Sequence, residues 1–218
     1  MKGSQKTWLM AFFVISIAEI ASIVAGIDSV HAIAKPLLMV SLALYFWSAS
    51  EGLSSWRYLV LGALAFSWAG DVLLMADDLF VAGLASFLVA HVFFIVVYQR
   101  TGAAHGTLKA VDIIKFGIVG LGLMWILYPG LGALFVPVLV YAVVLLTMAL
   151  WAHKRRGATS ARSFAFVAIG AVLFVLSDAA IAVNRFAFDV PFEGLIVMST
   201  YIGAQFMIVR GLLMHPRD

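Results

Sequence analysis

The sequence predicts an all-α membrane protein in which one transmembrane helical domain uses the whole chain, residues 1–218. Apolar residues make up 64% of the sequence and charged residues 11%, whereas soluble domains are roughly 45–50% apolar and about 25% charged. So few charges cannot cover a soluble surface of this size. No polar segment is long enough to form a second domain outside the membrane.

Eight apolar stretches have the length of a membrane-spanning helix, because a hydrocarbon core of about 30 Å needs about 20 helical residues. The predicted spans are 8–26, 34–50, 57–76, 79–98, 111–128, 131–151, 163–184 and 192–213. Charged residues crowd the start of the fifth span. The run from Phe116 to Ala152 would nevertheless form a helix of roughly 55 Å, too long for one crossing. We therefore predict a break at Pro129-Gly130.

The first span has some features of a signal peptide, because two lysines precede an apolar run. Its about 19 residues exceed the usual apolar region of such a peptide, and Glu19 interrupts it. We therefore expect a helix of the folded protein.

Basic residues predict the orientation. An even number of spans places both termini on one side, which carries every Lys and Arg except Lys35 and Arg185, twelve of the fourteen. The positive-inside rule then predicts a cell (inner) membrane protein with cytoplasmic termini. The net charge of +3 is explained by this sidedness, and no nucleic-acid partner is expected.

A weak internal repeat covers the second to fourth and the sixth to eighth spans. Gly70-Asp71 aligns with Ser177-Asp178, and Gly83-Leu84 aligns with Gly194-Leu195. An offset of four spans preserves direction, so the pattern indicates a parallel four-plus-four helix repeat.

Three acidic residues lie inside predicted spans: Glu19, Asp71 and Asp178. An ionisable group at the centre of a membrane helix costs roughly 2.5–3.5 kcal/mol on insertion scales, which makes such residues functional candidates. From the predicted span ends, both aspartates lie ~7–9 Å below the outer boundary. We expect two carboxyl groups at one depth, in the outer half of the protein.

Other polar residues extend this candidate site, and helical spacing places several on the faces of the aspartates. The set comprises Lys35, Ser67, His91, Asn184, Arg185, Tyr201 and Gln205. Structural interpretations remain open: the aspartates could share one proton as a structural pair, and Glu19 could bond a neighbour. His91, Tyr201 and Gln205 could bond between helices, while Lys35 and Arg185 could anchor helix ends at the interface.

Several kinds of chemistry are excluded. There is no cysteine and only one histidine inside a predicted span, so thiolate and three-histidine zinc sites cannot form there. No GxSxG motif provides an esterase-type serine. We expect no metal.

A series of motifs in order along the chain resembles the YhhN family of multipass lysoplasmalogenases. The resemblance covers roughly residues 34 to 210. It is carried by Lys35-Pro36-Leu37-Leu38, Phe66-Ser67, Gly70-Asp71 with Leu74-Met75, Phe87 and His91, Pro137 with Tyr141, Ser177-Asp178 with Phe186, and Tyr201 with Gln205.

The resemblance implies hydrolysis of the vinyl-ether bond of a lysophospholipid, the lysoplasmalogen, to a fatty aldehyde and a glycerophospho-base. It implies no metal and no organic cofactor. This chemistry needs one protonated acid and one carboxylate, roles that glycosidases also divide between two acids. Arg185 on the face of Asp178 favours Asp178 as the base or stabiliser and Asp71 as the acid. Lys35 or Arg185 would meet the phosphate.

Two other functions remain open at this point. A proton-coupled membrane transporter could use the same acids, and a lipid-binding protein without catalysis could contain them too. Aldehyde release from lysoplasmalogen would favour the enzyme, and ion flux in vesicles would favour the transporter.

Overall fold

The computed structural model describes residues 3–52 and 56–215. Within these ranges the chain forms eight α-helices and no strand. The helices are α1 (Gly3–Ala25), α2 (Asp28–Ala49), α3 (Trp56–Leu73), α4 (Phe80–Tyr98), α5 (Ala110–Leu131), α6 (Phe135–Lys154), α7 (Ala161–Phe186) and α8 (Glu193–Leu213). A helix therefore lies at each predicted span.

Six helical segments in the described chain are long and apolar enough to cross a membrane. The prediction of an all-helical membrane protein is confirmed. The number of eight crossings stays a prediction, because α5 and α6 count together as one 45-residue segment and α3 is not among the six. Arg57 and Asp71 lower the hydropathy of α3.

The break between α5 and α6 follows Leu131, and the predicted break at Pro129-Gly130 is wrong. Pro129 lies inside α5, since proline removes only one helical hydrogen bond and is tolerated in membrane helices. Gly130 packs against the backbone carbonyl of Phe186, where a Cβ would collide. Gly132 ends α5 with φ 47° and ψ −125°, a conformation that favours glycine.

Helix α2 begins before residue 34, the predicted start of the second span, which stays a prediction. Gly26, with φ 65°, ends α1, and α2 begins at Asp28, whose carboxylate lies in the positively polarised first turn. Pro36 is therefore inside α2, and Lys35 lies in its second turn rather than at its start. This shift adds His31 to the helix.

The chain divides into two compact units between Val97 and Tyr98. The first unit contains α1 to α4, with α1 packed on α2 and α2 on α3. Ser86 of α4 donates a hydrogen bond to the Phe66 carbonyl of α3 over 2.6 Å. A Cβ at Gly70 would lie 2.5 Å from the Phe87 ring, so glycine lets α4 approach α3 beside Asp71.

The second unit contains α5 to α8, and α7 packs extensively on α8. A Cβ at Gly170 of α7 would lie 2.9 Å from the Ala204 carbonyl oxygen of α8. Ser177 of α7 donates a hydrogen bond to the Val197 carbonyl over 3.2 Å. Small residues and short hydroxyl side chains thus allow the close packing that membrane helices use.

A buried arginine fixes the other end of the helices in this unit. Arg155 follows α6, is fully buried, and donates from Nε to the Thr101 carbonyl at 3.0 Å. Its Nη2 donates to Ser163 Oγ at 3.0 Å, and Ser163 donates to the Gly211 carbonyl at 2.7 Å. Burial lowers the pKa of Arg155 to about 10. The network ties α6 to α7 and α8.

Two of the twelve basic residues that predict the orientation, Lys2 and Arg217, lie outside the described residues. The cytoplasmic position of the termini stays a prediction.

Candidate active site

In the second unit, Asp178 accepts a hydrogen bond from a tyrosine. Asp178 lies on α7 and is half-buried. The hydroxyl of Tyr141, a buried residue of α6, donates to Asp178 Oδ2 over 2.5 Å. Hydrogen bonds to a carboxylate are roughly twice as strong as neutral ones. Tyr141 therefore fixes the orientation of Asp178.

Tyr141 was not among the predicted site residues. At 1.5 Å per residue it lies about 9 Å from the start of α6, while Asp178 lies about 12 Å from the end of α7. Because α6 and α7 are consecutive helices that pack together, the start of α6 and the end of α7 lie on the same side, and comparison of these depths is the signal that could have identified Tyr141.

Tyr201 and Gln205 extend this cluster from α8. Both are buried, and Gln205 Nε2 donates to the Tyr201 hydroxyl over 3.4 Å. The Phe174 ring packs edge-on against the Tyr201 ring with centroids 5.5 Å apart. Tyr201 is also close enough to Tyr141 to interact electrostatically with it. The second unit thus brings together Asp178, Tyr201 and Gln205 of the predicted set.

Asn184 and Arg185 lie at the end of α7, away from this cluster. Asn184 Oδ1 accepts a hydrogen bond from the Val190 amide over 2.8 Å, so it holds the turn after α7. Arg185 is exposed and lies roughly 10 Å along the helix axis from Asp178. Their contact with substrate stays a prediction.

In the first unit, three predicted residues lie in the interior. Asp71 is 3% exposed, and both Ser67 and His91 are fully buried. Ser67 precedes Asp71 by one turn of α3, and His91 lies on α4, which packs closely on α3 at Gly70. The first unit therefore encloses its aspartate more fully than the second unit does.

A second polar group in the first unit joins α1 to α2. Glu19 is fully buried, and its Oε1 lies 2.9 Å from His31 Nδ1. Lys35, one turn further along α2, also interacts with the charge of Glu19. The structure thus brings together Glu19 and Lys35 of the predicted set. It adds His31, which the predicted start of the second span left in a loop.

The helix ends give different positions for the two aspartates. Asp71 is ~3 Å from the end of α3, whereas Asp178 is ~12 Å from the end of α7. Measured from the opposite ends, they lie ~22 Å and ~26 Å into their helices. The equal depth of the two aspartates was inferred from the predicted span ends and stays a prediction. The helices end at other residues, since α3 ends at Leu73 and α7 continues to Phe186.

Comparison with known proteins identifies the family. The family model described as the YhhN family matches residues 30–212. The chain belongs to the YhhN family. Every predicted site residue except Glu19 lies within the matched range.

Curated relatives of this chain carry the name lysoplasmalogenase. The rat protein Lysoplasmalogenase TMEM86B is 32% identical over 187 residues, which cover 86% of this chain and 75% of the relative. The human Lysoplasmalogenase TMEM86B is 31% identical, covering 85% and 76%. A lysoplasmalogenase of Mycobacterium tuberculosis is 31% identical, covering 83% and 71%. No solved structure matches this chain significantly.

Proposed function

We propose that this protein is a lysoplasmalogenase, an alkenyl ether hydrolase that converts a lysoplasmalogen and water to a fatty aldehyde and a glycerophospho-base. The observation that carries the proposal is the similarity, over most of the chain, to lysoplasmalogenases of mammals and a mycobacterium. Two acidic side chains, Asp71 on α3 and Asp178 on α7, provide groups suited to this reaction.

The reaction begins with transfer of a proton from Asp71 to the alkene carbon β to the ether oxygen. This step forms an oxocarbenium ion, which the Asp178 carboxylate stabilises. Water then adds to the cationic carbon and loses a proton to the Asp71 carboxylate, which restores the acid. The resulting hemiacetal collapses to aldehyde and alcohol, so one water is consumed and both acids return to their initial states.

The contacts of Asp178 support this assignment of roles. The Tyr141 hydroxyl donates a hydrogen bond to Asp178 Oδ2, which holds the carboxyl group in one orientation. Arg185, on the same helical face, adds a positive charge at greater distance. These contacts suit Asp178 for stabilising a cation and leave Asp71 as the proton donor.

Lys35 and Arg185 are the proposed contacts of the substrate phosphate. Lys35 is the better placed of the two, because it belongs to the same unit as Asp71 and is partly buried, whereas Arg185 is exposed. Ser67, His91, Asn184, Tyr201 and Gln205 are proposed as further substrate contacts.

We further propose eight membrane crossings arranged as a parallel four-plus-four repeat. The division of the chain into two four-helix units supports the repeat, and the basic residues support cytoplasmic termini in the inner membrane. Because the chain has no cysteine, Gly3→Cys and Asp189→Cys can test the orientation. Only Asp189→Cys should label from outside intact spheroplasts, and the reverse pattern would overturn the orientation.

The test of the function is aldehyde release by the purified protein in detergent. Lysoplasmalogen should yield fatty aldehyde, and the matched lysophospholipid with an ester bond should not. Absence of aldehyde release, together with proton flux in reconstituted vesicles, would instead support a transporter.

A further inference from the structure

An apolar groove lies between α2 and α3 in the first unit. Its volume is about 370 Å³, and four apolar side chains from each helix line it. The lining residues include Met39 and Ala43 of α2 and Leu61, Leu64 and Trp68 of α3.

The lining residues follow one face of each helix, and an ionisable residue continues each face. On α3, Leu61, Leu64 and Trp68 are spaced so that they share one face of the helix. Asp71 follows Trp68 by three residues and lies on the same face. On α2, Met39 and Ala43 are four residues apart, and Lys35 precedes Met39 by four residues. An ammonium group and a carboxyl group therefore stand at the same end of the two apolar faces.

The two ionisable residues also lie at one level. Consecutive helices that pack together and share a short connection run antiparallel, and α2 and α3 meet these conditions. Measured from their connected ends, Lys35 lies ~21 Å and Asp71 ~22 Å along their helices. Leu61 and Trp68 lie ~8 Å and ~18 Å along α3. The groove therefore extends from the level of Lys35 and Asp71 toward the connected ends.

We propose that this groove binds the alkenyl chain of the lysoplasmalogen substrate. The inference rests on the proposed function and specifies where the hydrocarbon part of the substrate lies. In a lysoplasmalogen the vinyl-ether bond stands between the phosphate-bearing glycerol and the chain. A chain in the groove with its phosphate near Lys35 places this bond at the level of Asp71, the proposed proton donor.

The experiment uses a substitution that shortens the groove. Ala43 lines its inner part, ~9 Å from the end of α2, so Ala43→Phe should exclude long chains and accept short ones. We measure kcat/KM of the purified full-length protein for lysoplasmalogens with 16-carbon and 8-carbon alkenyl chains. Ala43→Phe should lower the value for the long chain at least ~10-fold, the effect expected when a pocket loses room for part of a chain. The value for the short chain should stay within about twofold.

The matched control is Ala82→Phe, which adds the same ring at an exposed alanine of α4 outside the groove. It should leave the ratio of the two kcat/KM values unchanged. If Ala43→Phe is inactive on both chains, the smaller Ala43→Leu substitution should show the same preference to a lesser degree.

The outcomes separate the two levels of the proposal. An Ala43→Phe or Ala43→Leu protein that is active with an unchanged ratio would show that the alkenyl chain does not occupy the groove. This outcome would overturn the inference and leave the enzyme activity intact. Absence of aldehyde from the unaltered protein with either chain would overturn the proposed function and this inference with it.

Discussion

Asp71 and Asp178 each lie on the third helix of a four-helix unit, but their surroundings differ. Asp71 is almost fully enclosed where Gly70 lets α4 approach. Asp178 is half-buried and accepts a hydrogen bond from Tyr141. Enzymes that divide acid and base roles between two carboxyl groups do so by giving them different environments. The comparison therefore supports different roles for two residues that occupy similar places in sequence.

The two units also differ in their other polar groups. The first unit contains the Glu19–His31 pair, Lys35 and an apolar groove. In the second unit Tyr141 bonds Asp178, and Gln205 bonds Tyr201.

The assignment of different roles to Asp71 and Asp178 would fail most directly if either residue were dispensable for activity. Asp71→Asn and Asp178→Asn keep the shape of the side chain, but the first cannot donate a proton and the second carries no negative charge to stabilise the cation. We expect each variant to lower kcat by about 10²–10⁴-fold, the usual contribution of general acid–base catalysis. Aldehyde release by purified protein measures this effect.

Asp189→Asn, at an exposed position after α7, is the control for loss of a carboxylate and should retain activity. Size-exclusion profiles should show that all three variants fold. Near-normal turnover by Asp71→Asn or Asp178→Asn would contradict the assignment of that residue.

A smaller effect is expected from removal of the hydroxyl group that distinguishes Asp178. Tyr141→Phe deletes the hydrogen bond donated to the carboxylate, and such bonds to charged groups contribute about 1.5–3 kcal/mol. If the bond orients Asp178 for catalysis, kcat should fall ~10–100-fold while KM changes little. Tyr128→Phe, at an exposed tyrosine of the same unit, should have no such effect. Equal kcat values for the two variants would argue against a role for Tyr141.

The helices were predictable because a run of about 20 apolar residues has few alternatives in a membrane protein. Their ends were less predictable. Helix α2 extends beyond its apolar run to Asp28, because a helix continues into the interface as long as its first turn can be satisfied. In the sequence, Pro129 was the stronger signal for a helix end. In the structure α5 continues past Pro129 and ends where the backbone of Gly132 leaves the helical conformation.

Asp71 and Asp178 were identifiable from sequence because ionisable residues are rare inside membrane helices. Tyr141 was missed as a site residue because tyrosine is common in such helices, and its significance depends on a partner from α7. His31 was missed because it lay outside the predicted span. Both residues acquire their contacts only through packing between helices, which local sequence patterns do not specify.

Substitution of Lys35 and of Arg185 tests which of the two units contacts the substrate phosphate. Lys35→Ala should raise KM for lysoplasmalogen about tenfold, since it removes a cation that is partly buried beside Glu19 and His31. Arg185→Ala should raise KM by about twofold or less, because Arg185 is exposed and surface charges contribute little. For both variants kcat should change less than KM. A larger effect from Arg185→Ala would place the phosphate nearer to the second unit.

Removal of metal ions is expected to have no effect on activity. Among the described residues, no group of three or more His, Cys, Asp or Glu side chains is arranged to hold a metal ion. The proposed roles of Asp71 and Asp178 require only proton transfer and charge stabilisation. Dialysis against a strong chelator should therefore leave aldehyde release unchanged. A loss of activity that added Zn²⁺ restores would mean that at least one aspartate acts as a metal ligand, so the division into acid and stabiliser would have to be abandoned.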